Sequence, residues 1–208
     1  LPPDDRSRHG AKTMLNEKLA WPWTLEELPM MAPWLEENGP ALDVVGKAVR
    51  KPVFHVPLVR QGQDEPLVGA LFDGFKIESL ARGLKARANY RIGTGDLDGA
   101  IEDIVTCNRL GRHVGQGAFY IDLLVGIDVE GIGKSIGVAG SLEHPPTKEQ
   151  LERLMAEMKR LPPASTARDK ILSERFCGLH VIQGLASGKT SCGDWFGYSP
   201  PPEFRLLL

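Results

Sequence analysis

The stretch from Ile77 to Gly117, IESLARGLKARANYRIGTGDLDGAIEDIVTCNRLGRHVGQG, limits the fold more than any other. Its first half places Ile77, Leu80, Ala81, Leu84, Ala88 and Ile92 at spacings of three and four, one stripe of a 3.6-residue helix. Arg82, Lys85, Arg87 and Arg91 fall on the remaining positions. Gly93 suits the left-handed end of a helix, and Gly95 permits a sharp reversal. Asp96 is a good N-cap because its carboxylate accepts the free backbone N–H groups of the next turn. Asp98, Glu102 and Asp103 favour that positive helix end. The second helix then turns Leu97, Ala100, Ile101, Ile104, Cys107 and Leu110 inward. A linker this short predicts two antiparallel neighbours.

Ala88, Tyr90-Arg91-Ile92-Gly93 and Gly95-Asp96-Leu97-Asp98-Gly99-Ala100-Ile101 resemble the middle of a tetratricopeptide repeat. In that family a small residue on helix A and an alanine on helix B let the pair pack closely, in a unit of about 34 residues. Ala88 and Ala100 stand twelve apart, as that pattern wants. Ile104 replaces the expected aromatic, Cys107 stands at the small position, and no proline follows near position 112. The resemblance covers about one repeat and implies a helical array. More loosely, Trp34-Leu35, Asn38, Leu42, this helical pair and Glu174-Arg175 resemble uncharacterised helical proteins of planctomycete bacteria, often exported. That likeness implies an exported or periplasmic location and no known activity.

The rest of the chain agrees with a helical reading. Thr13 to Ala20 predicts a short helix, stopped by Trp21-Pro22-Trp23. Thr24 and Glu27 form a capping box. Gly39-Pro40 predicts a break, with Pro40 opening a new helix that carries Leu42, Val45 and Val49. Trp21, Trp23 and Trp34 suit a small N-terminal core. Val53 to Val59 reads as an extended crossover, since Pro57 keeps it off the centre of a sheet. Helix resumes near Leu67. From Ala118 to Gly140, Leu124, Ile127, Gly131, Ser135 and Val138 recur at helical spacing. Glycines cost about 1 kcal/mol each in a helix interior, so their number reads as close approach to neighbouring helices, which the periodicity favours, or as a ligand-binding glycine loop. Thr147 with Gln150 caps an amphipathic helix bearing Leu151, Leu154, Met155, Met158 and Leu161. Thr166 with Asp169 opens another, with Leu172, Phe176, Leu179, Ile182 and Ala186 in a stripe. These two are expected to form a second hairpin-like unit.

Composition removes several function classes. The 208 residues are 42% apolar and 25% charged, ordinary values for a globular protein. A net charge of −2 gives no general attraction to nucleic acid or anionic membrane. No run approaches the roughly 20 apolar residues of a membrane span. The three cysteines leave open whether Cys177 and Cys192 pair. The ends, at Leu1 and Leu206-Leu207-Leu208, fit a piece of a longer product.

Motifs that suggest chemistry fail on spacing. Gly131-Ile132-Gly133-Lys134-Ser135 evokes a phosphate loop, but the required upstream glycine is Asp128. Asp96-Leu97-Asp98-Gly99 evokes a calcium loop, yet its ends fall on Thr94 and Val105. Cys177 and His180 lie one turn apart and, with Cys192, still fall short of four zinc ligands. No catalytic residue, cofactor or metal ligand is therefore assigned. Glu174-Arg175 and Asp103 with Arg109 suit ion pairs that fix helix register, or catalytic acids. The basic residues Arg82, Arg87 and Arg91, beside Lys85, Arg109 and Arg112, are the candidates for binding a partner's acidic peptide or a phosphate. The alternative for them is a solvated face balanced by Glu102 and Asp103.

The sequence thus predicts an all-α chain of stacked antiparallel helical hairpins, one of them tetratricopeptide-like. Residues 1–66 form a Trp/Pro-rich segment with a crossover, 67–188 the helical domain, and 189–208 an irregular tail. The expected role is a non-catalytic scaffold or subunit that binds another protein or copies of itself. The alternative is an enzyme or small-ligand-binding protein with an inter-helix site of dispersed polar residues.

Overall fold

Asp96 starts the central helix as its residue type predicts, its side chain accepting from the Gly99 amide at 3.0 Å. The computed structural model describes residues 15, 17–55 and 74–188. Among these the chain is all helical, without strands. A 3-10 turn at Pro29–Met31 leads into α1 (Ala32–Ala48). Then come α2 (Gly74–Gly93), α3 (Leu97–Gly115), α4 (Tyr120–Glu143), α5 (Lys148–Lys159) and α6 (Ala167–Ala186). The onset expected near Leu67, most of the 53–59 crossover and the 189–208 tail lie outside the described residues.

The core is the α2–α3–α4 seam. Ala81 and Leu84 of α2 share a buried cluster with Cys107, Leu110 and Val114 of α3 and Val129 of α4. Ala88 and Ile92 share another with Ala100, Ile104 and Ile136. The early half of α2 thus meets the late half of α3, and the late half meets the early half. Between the two helices, Gly95 takes the left-handed conformation at φ +84°. Its amide reaches the Ile92 carbonyl at 3.0 Å and the Asp96 amide reaches that of Arg91 at 2.7 Å, the two bonds of a Schellman stop. Gly93, expected in that role, is instead the last helical residue. It is glycine because a Cβ there would strike the Trp23 backbone carbonyl.

Glycine also decides how α4 packs. A Cβ on Gly126 would lie 2.6 Å from the Gly111 carbonyl oxygen, and one on Gly140 would lie 2.7 Å from Ile92 Cδ1. Gly126, Gly133 and Gly140 therefore form the face that meets α2 and α3. Val129 and Ile136, both fully buried, lie among them. Of the stripe read at helical spacing, Leu124, Ile127, Gly131 and Val138 turn outward, while Ser135 is half-buried and receives Lys85 of α2 at 3.1 Å. Leu124, Ile127 and Val138 are exposed, and Gly131 has open space around it. Both faces are apolar enough for burial, and the one without side chains allows the closer approach.

The N-terminal segment docks on α2. Trp23 is buried, its indole Nε1 donates to the Ala86 carbonyl at 3.2 Å, and its ring lies 5.1 Å from that of Tyr90. Leu15, Leu19, Leu28, Met31 and Trp34 complete that cluster. The Thr24–Glu27 box forms, with the Thr24 amide donating to Glu27 Oε2 at 2.8 Å. The break expected at Gly39-Pro40 is absent, because α1 runs through Pro40. Its cost of about 3 kcal/mol is opposed by tertiary bonds: Arg87 Nη1 donates to the Gly39 carbonyl at 3.1 Å, and Leu42 is buried against α2.

Helices α5 and α6, read from the sequence as a pair, dock on different neighbours. α5 packs on α3 and α6 on α4. Arg153 of α5 donates to Asp98 and Glu102, at 2.9 and 3.2 Å. α6 is tied to the α3–α4 connection, where Lys170 Nζ donates to the Gly117 carbonyl and the Tyr120 amide donates to Glu174 Oε1 at 2.7 Å. These polar ties fix the two helices separately. No described helix is long and apolar enough to cross a membrane.

Candidate functional site

The three basic candidates do not share one solvated face. Arg82 is exposed and pairs with Glu78 on its own helix. Arg87 is 8% exposed. Its Nη2 and Nε meet Asp103 Oδ1 and Oδ2 at 2.6 and 3.1 Å, and its Nη1 meets Asp43 Oδ1 at 2.7 Å. Arg91 Nη1 joins Asp103 Oδ2 at 2.9 Å and the Gly99 carbonyl at 2.8 Å. The structure thus gathers Arg87 and Arg91 on one buried carboxylate and leaves Arg82 apart. Burial works against charge on Arg87, but the hydrogen bonds and charges of Asp103, then of Asp43, outweigh it and raise its pKa.

The register pairing expected for Asp103 therefore forms with Arg87 and Arg91. Arg109 instead meets Glu157 of α5 at 2.8 Å, and Arg112 Nε lies 3.0 Å from Glu130 Oε1 of α4. A polar recess of about 210 Å³ lies beside the Arg87–Asp103 pair, with Lys47 of α1 and Arg50, just past its end, at its wall. Burial and then the charge of Arg82 lower the Lys85 pKa, and its Nζ donates to Ser135 Oγ at 3.1 Å.

The failed motifs sit in ordinary helix. Lys134 pairs with Glu130 at 3.4 Å and Ser135 Oγ donates to the Ile132 carbonyl at 2.7 Å, both within α4. Asp96 caps α3, and Asp98 receives Arg153. Cys107 is buried, its thiol pushed up to about 12 by burial and then by Asp103. Cys177 is buried too, but Cys192 lies outside the described residues. No three His, Cys, Asp or Glu residues among those described could hold a metal together. Glu174 is spent on the Tyr120 amide, while Arg175 is exposed.

Two features were not read from the sequence. The first is the outer face of α6. Leu172, Phe176 and Ile182, read from the sequence as part of one stripe, are 62–63% exposed, and Ile171 is 64% exposed. Only Lys170 and Cys177 of that helix are buried. Tyr120, Ile121, Leu124 and Ile127 are also exposed on the adjoining turns of α4. The second is a cleft of about 440 Å³ where α5 crosses α3 and α4. Ile101, Ile104, Ile136, Leu151, Leu154 and Met158 line it, with Asn108 among them. The signal was present: Asn108 interrupts the stripe set by Ile101 and Ile104, and a polar residue on a core stripe needs a reason.

No protein-family model matches the chain, and no curated protein or solved structure matches it.

Proposed function

We propose that this chain is a non-catalytic helical scaffold that associates with another protein, or with copies of itself, through its helix faces. The observation that carries the reading is the outer face of α6, with Ile171, Leu172, Phe176 and Ile182 in solvent. Contiguous exposed apolar surface of more than a few hundred Å² marks an interaction site on a soluble protein. The polar residues that would have favoured an enzyme do not converge: Glu174 serves the helix junction and Arg175 stands exposed.

Within this reading α2 and α3 are an antiparallel, tetratricopeptide-like hairpin, with α4 stacked as the next helix. Ala88 and Ala100, the small positions of that pattern, are 0% and 2% exposed in one cluster, which supports the likeness. Stacked helical pairs present extended faces of this kind to partners.

The test has two arms. Light scattering of the full chain over a range of concentrations reports self-association. Affinity capture from the native source, read by mass spectrometry, reports a partner. Replacing Leu172 and Phe176 by Glu together should abolish whichever association is found, while stability shifts by no more than about 0.5 kcal/mol per exposed site. A strictly monomeric chain with no reproducible partner would refute the reading.

A further inference from the structure

The polar recess beside the Arg87–Asp103 pair is unequal in charge. Four cations, Lys47, Arg50, Arg87 and Arg91, line it with three carboxylates, Asp43, Glu102 and Asp103. All three carboxylates are already engaged. Asp43 receives Arg87 at 2.7 Å, Asp103 receives both Arg87 and Arg91, and Glu102 receives Arg153 of α5 at 3.2 Å. Lys47 and Arg50 pair with no carboxylate among the described residues. Arg50 is held by its Nη1, which donates to the Gly46 carbonyl at 3.1 Å. Cations at the end of a helix also answer its dipole, so their position alone marks nothing. Here they border a recess of about 210 Å³ that two further guanidiniums share.

Thr106 of α3 supplies a neutral donor. It is 4% exposed and lines the recess together with Gly46. A Cβ on Gly46 would lie 3.7 Å from Thr106 Oγ1, so the hydroxyl faces α1 at the one position there that has no side chain to cover it. That hydroxyl has no hydrogen-bond partner among the described residues, yet it is not one of the atoms sealed from solvent. Burying a hydroxyl costs free energy unless water or a ligand bonds it.

These groups define the ligand. Two unpaired cations call for two negative charges. Their donors lie at the end of α1 and the hydroxyl lies on α3, so the accepting oxygens must point in more than one direction. A carboxylate brings a single charge in one plane and adds a fourth carboxylate to three. A phosphoryl group carries close to two charges at pH 7 and three strong acceptor oxygens, and charge-assisted bonds to it are the strong ones.

We propose that this recess binds a dianionic phosphoryl group, that of inorganic phosphate or of a small phosphate monoester, between Lys47, Arg50 and Thr106. Arg87 and Arg91 stay on Asp103 and add to the positive field. No residue of α6 takes part, so the site stands or falls independently of the association proposed for that helix.

Calorimetric titration of the full chain compares inorganic phosphate, glycerol 3-phosphate and acetate, at fixed ionic strength because salt screens exposed charges. Both phosphates should bind about tenfold more tightly than acetate, the value of one charge-assisted hydrogen bond. A preference for glycerol 3-phosphate assigns an ester, and a preference for inorganic phosphate assigns the free ion. Lys47→Gln and Arg50→Gln should each weaken phosphate about tenfold on the same grounds. Both positions are exposed, so circular dichroism should match the parent. Thr106→Val should weaken phosphate about fivefold, the value of one neutral hydrogen bond, and Thr106→Ser, which keeps the hydroxyl, should bind as the parent does. Arg82→Gln removes the same charge outside the recess and should change nothing. Acetate binding as tightly as phosphate would overturn the proposal, as would no detectable phosphate binding or undiminished binding in Lys47→Gln and Arg50→Gln. Equal losses in Arg82→Gln and Lys47→Gln would overturn it too, because they show attraction by net charge alone.

Discussion

Helices α3 and α6 are similar in length and both carry an apolar stripe, yet they meet opposite fates. In α3, Ala100, Ile101, Ile104, Cys107, Leu110 and Val114 are all buried, as is Asp103. In α6, Lys170 and Cys177 are buried while Leu172, Phe176 and Ile182 face solvent. The difference lies in what surrounds each helix. α3 has α2 and α4 against it, and α4 approaches closely through Gly126. α6 touches the start of α4 and is anchored by Lys170 and Glu174. A stripe is a property of one helix, whereas burial is a property of a pair. An apolar stripe held out by polar anchors stays in solvent.

The comparison is broken most severely by removing the charge at the centre of α3. Asp103→Ala leaves the guanidinium of Arg87 buried with only Asp43 and Gly39 to satisfy it. The loss should be about 3–5 kcal/mol, the cost of orphaning one partner of a buried ion pair, measured by urea unfolding.

Next in size is the glycine contrast along α4. Gly126→Ala drives a Cβ to 2.6 Å from the Gly111 carbonyl oxygen and should cost roughly 1–3 kcal/mol, as overpacking does. Gly131→Ala meets open space and should stabilise by up to about 1 kcal/mol, from helix propensity alone. The same chemical change thus takes opposite signs five residues apart. Equal thermal shifts for the two variants would show that α4 does not pack through its glycine face.

The smallest effect belongs to the start of α6. Asp169 accepts from the Thr166 amide at 2.7 Å, and that bond lowers its pKa below the usual 3.8. A carboxylate lowered on folding stabilises above its unfolded pKa and loses that contribution as the pH falls through the folded value. The first turn of α6 should therefore fray only below about pH 3.8, with the core unchanged. Amide exchange of residues 167–170 across that range reads it, and Asp169→Asn should remove the pH dependence.

Much of the local structure was legible in the residues. The reversal at Gly95 and the start at Asp96, the capping boxes at Thr147 and Thr166, and the burial of Ala88 and Ala100 all follow from side-chain chemistry within a few residues, although the left-handed stop fell on Gly95 rather than Gly93. What failed to read was orientation. The stripe through Leu124, Ile127 and Val138 was equally periodic and proved to be the outer face. Gly39-Pro40 looked like a break, and Arg87, more than forty residues on, helps to hold the helix together there. Arg87 and Arg91 looked like a surface until Asp103 enclosed them. The cleft was illegible because it is a space, framed by three helices distant in sequence.

The sequence by itself determined that the described chain is helical and where most of its helices begin and end. Those signals are spacing, caps and turns, and they act over one or two helical turns. Only the tertiary structure decided which face of α4 is core, which arginines are enclosed, and that α6 keeps its apolar residues in water. Those outcomes depend on how closely two backbones can approach. That distance is set jointly, by the glycine on one helix and the atoms it meets on the other.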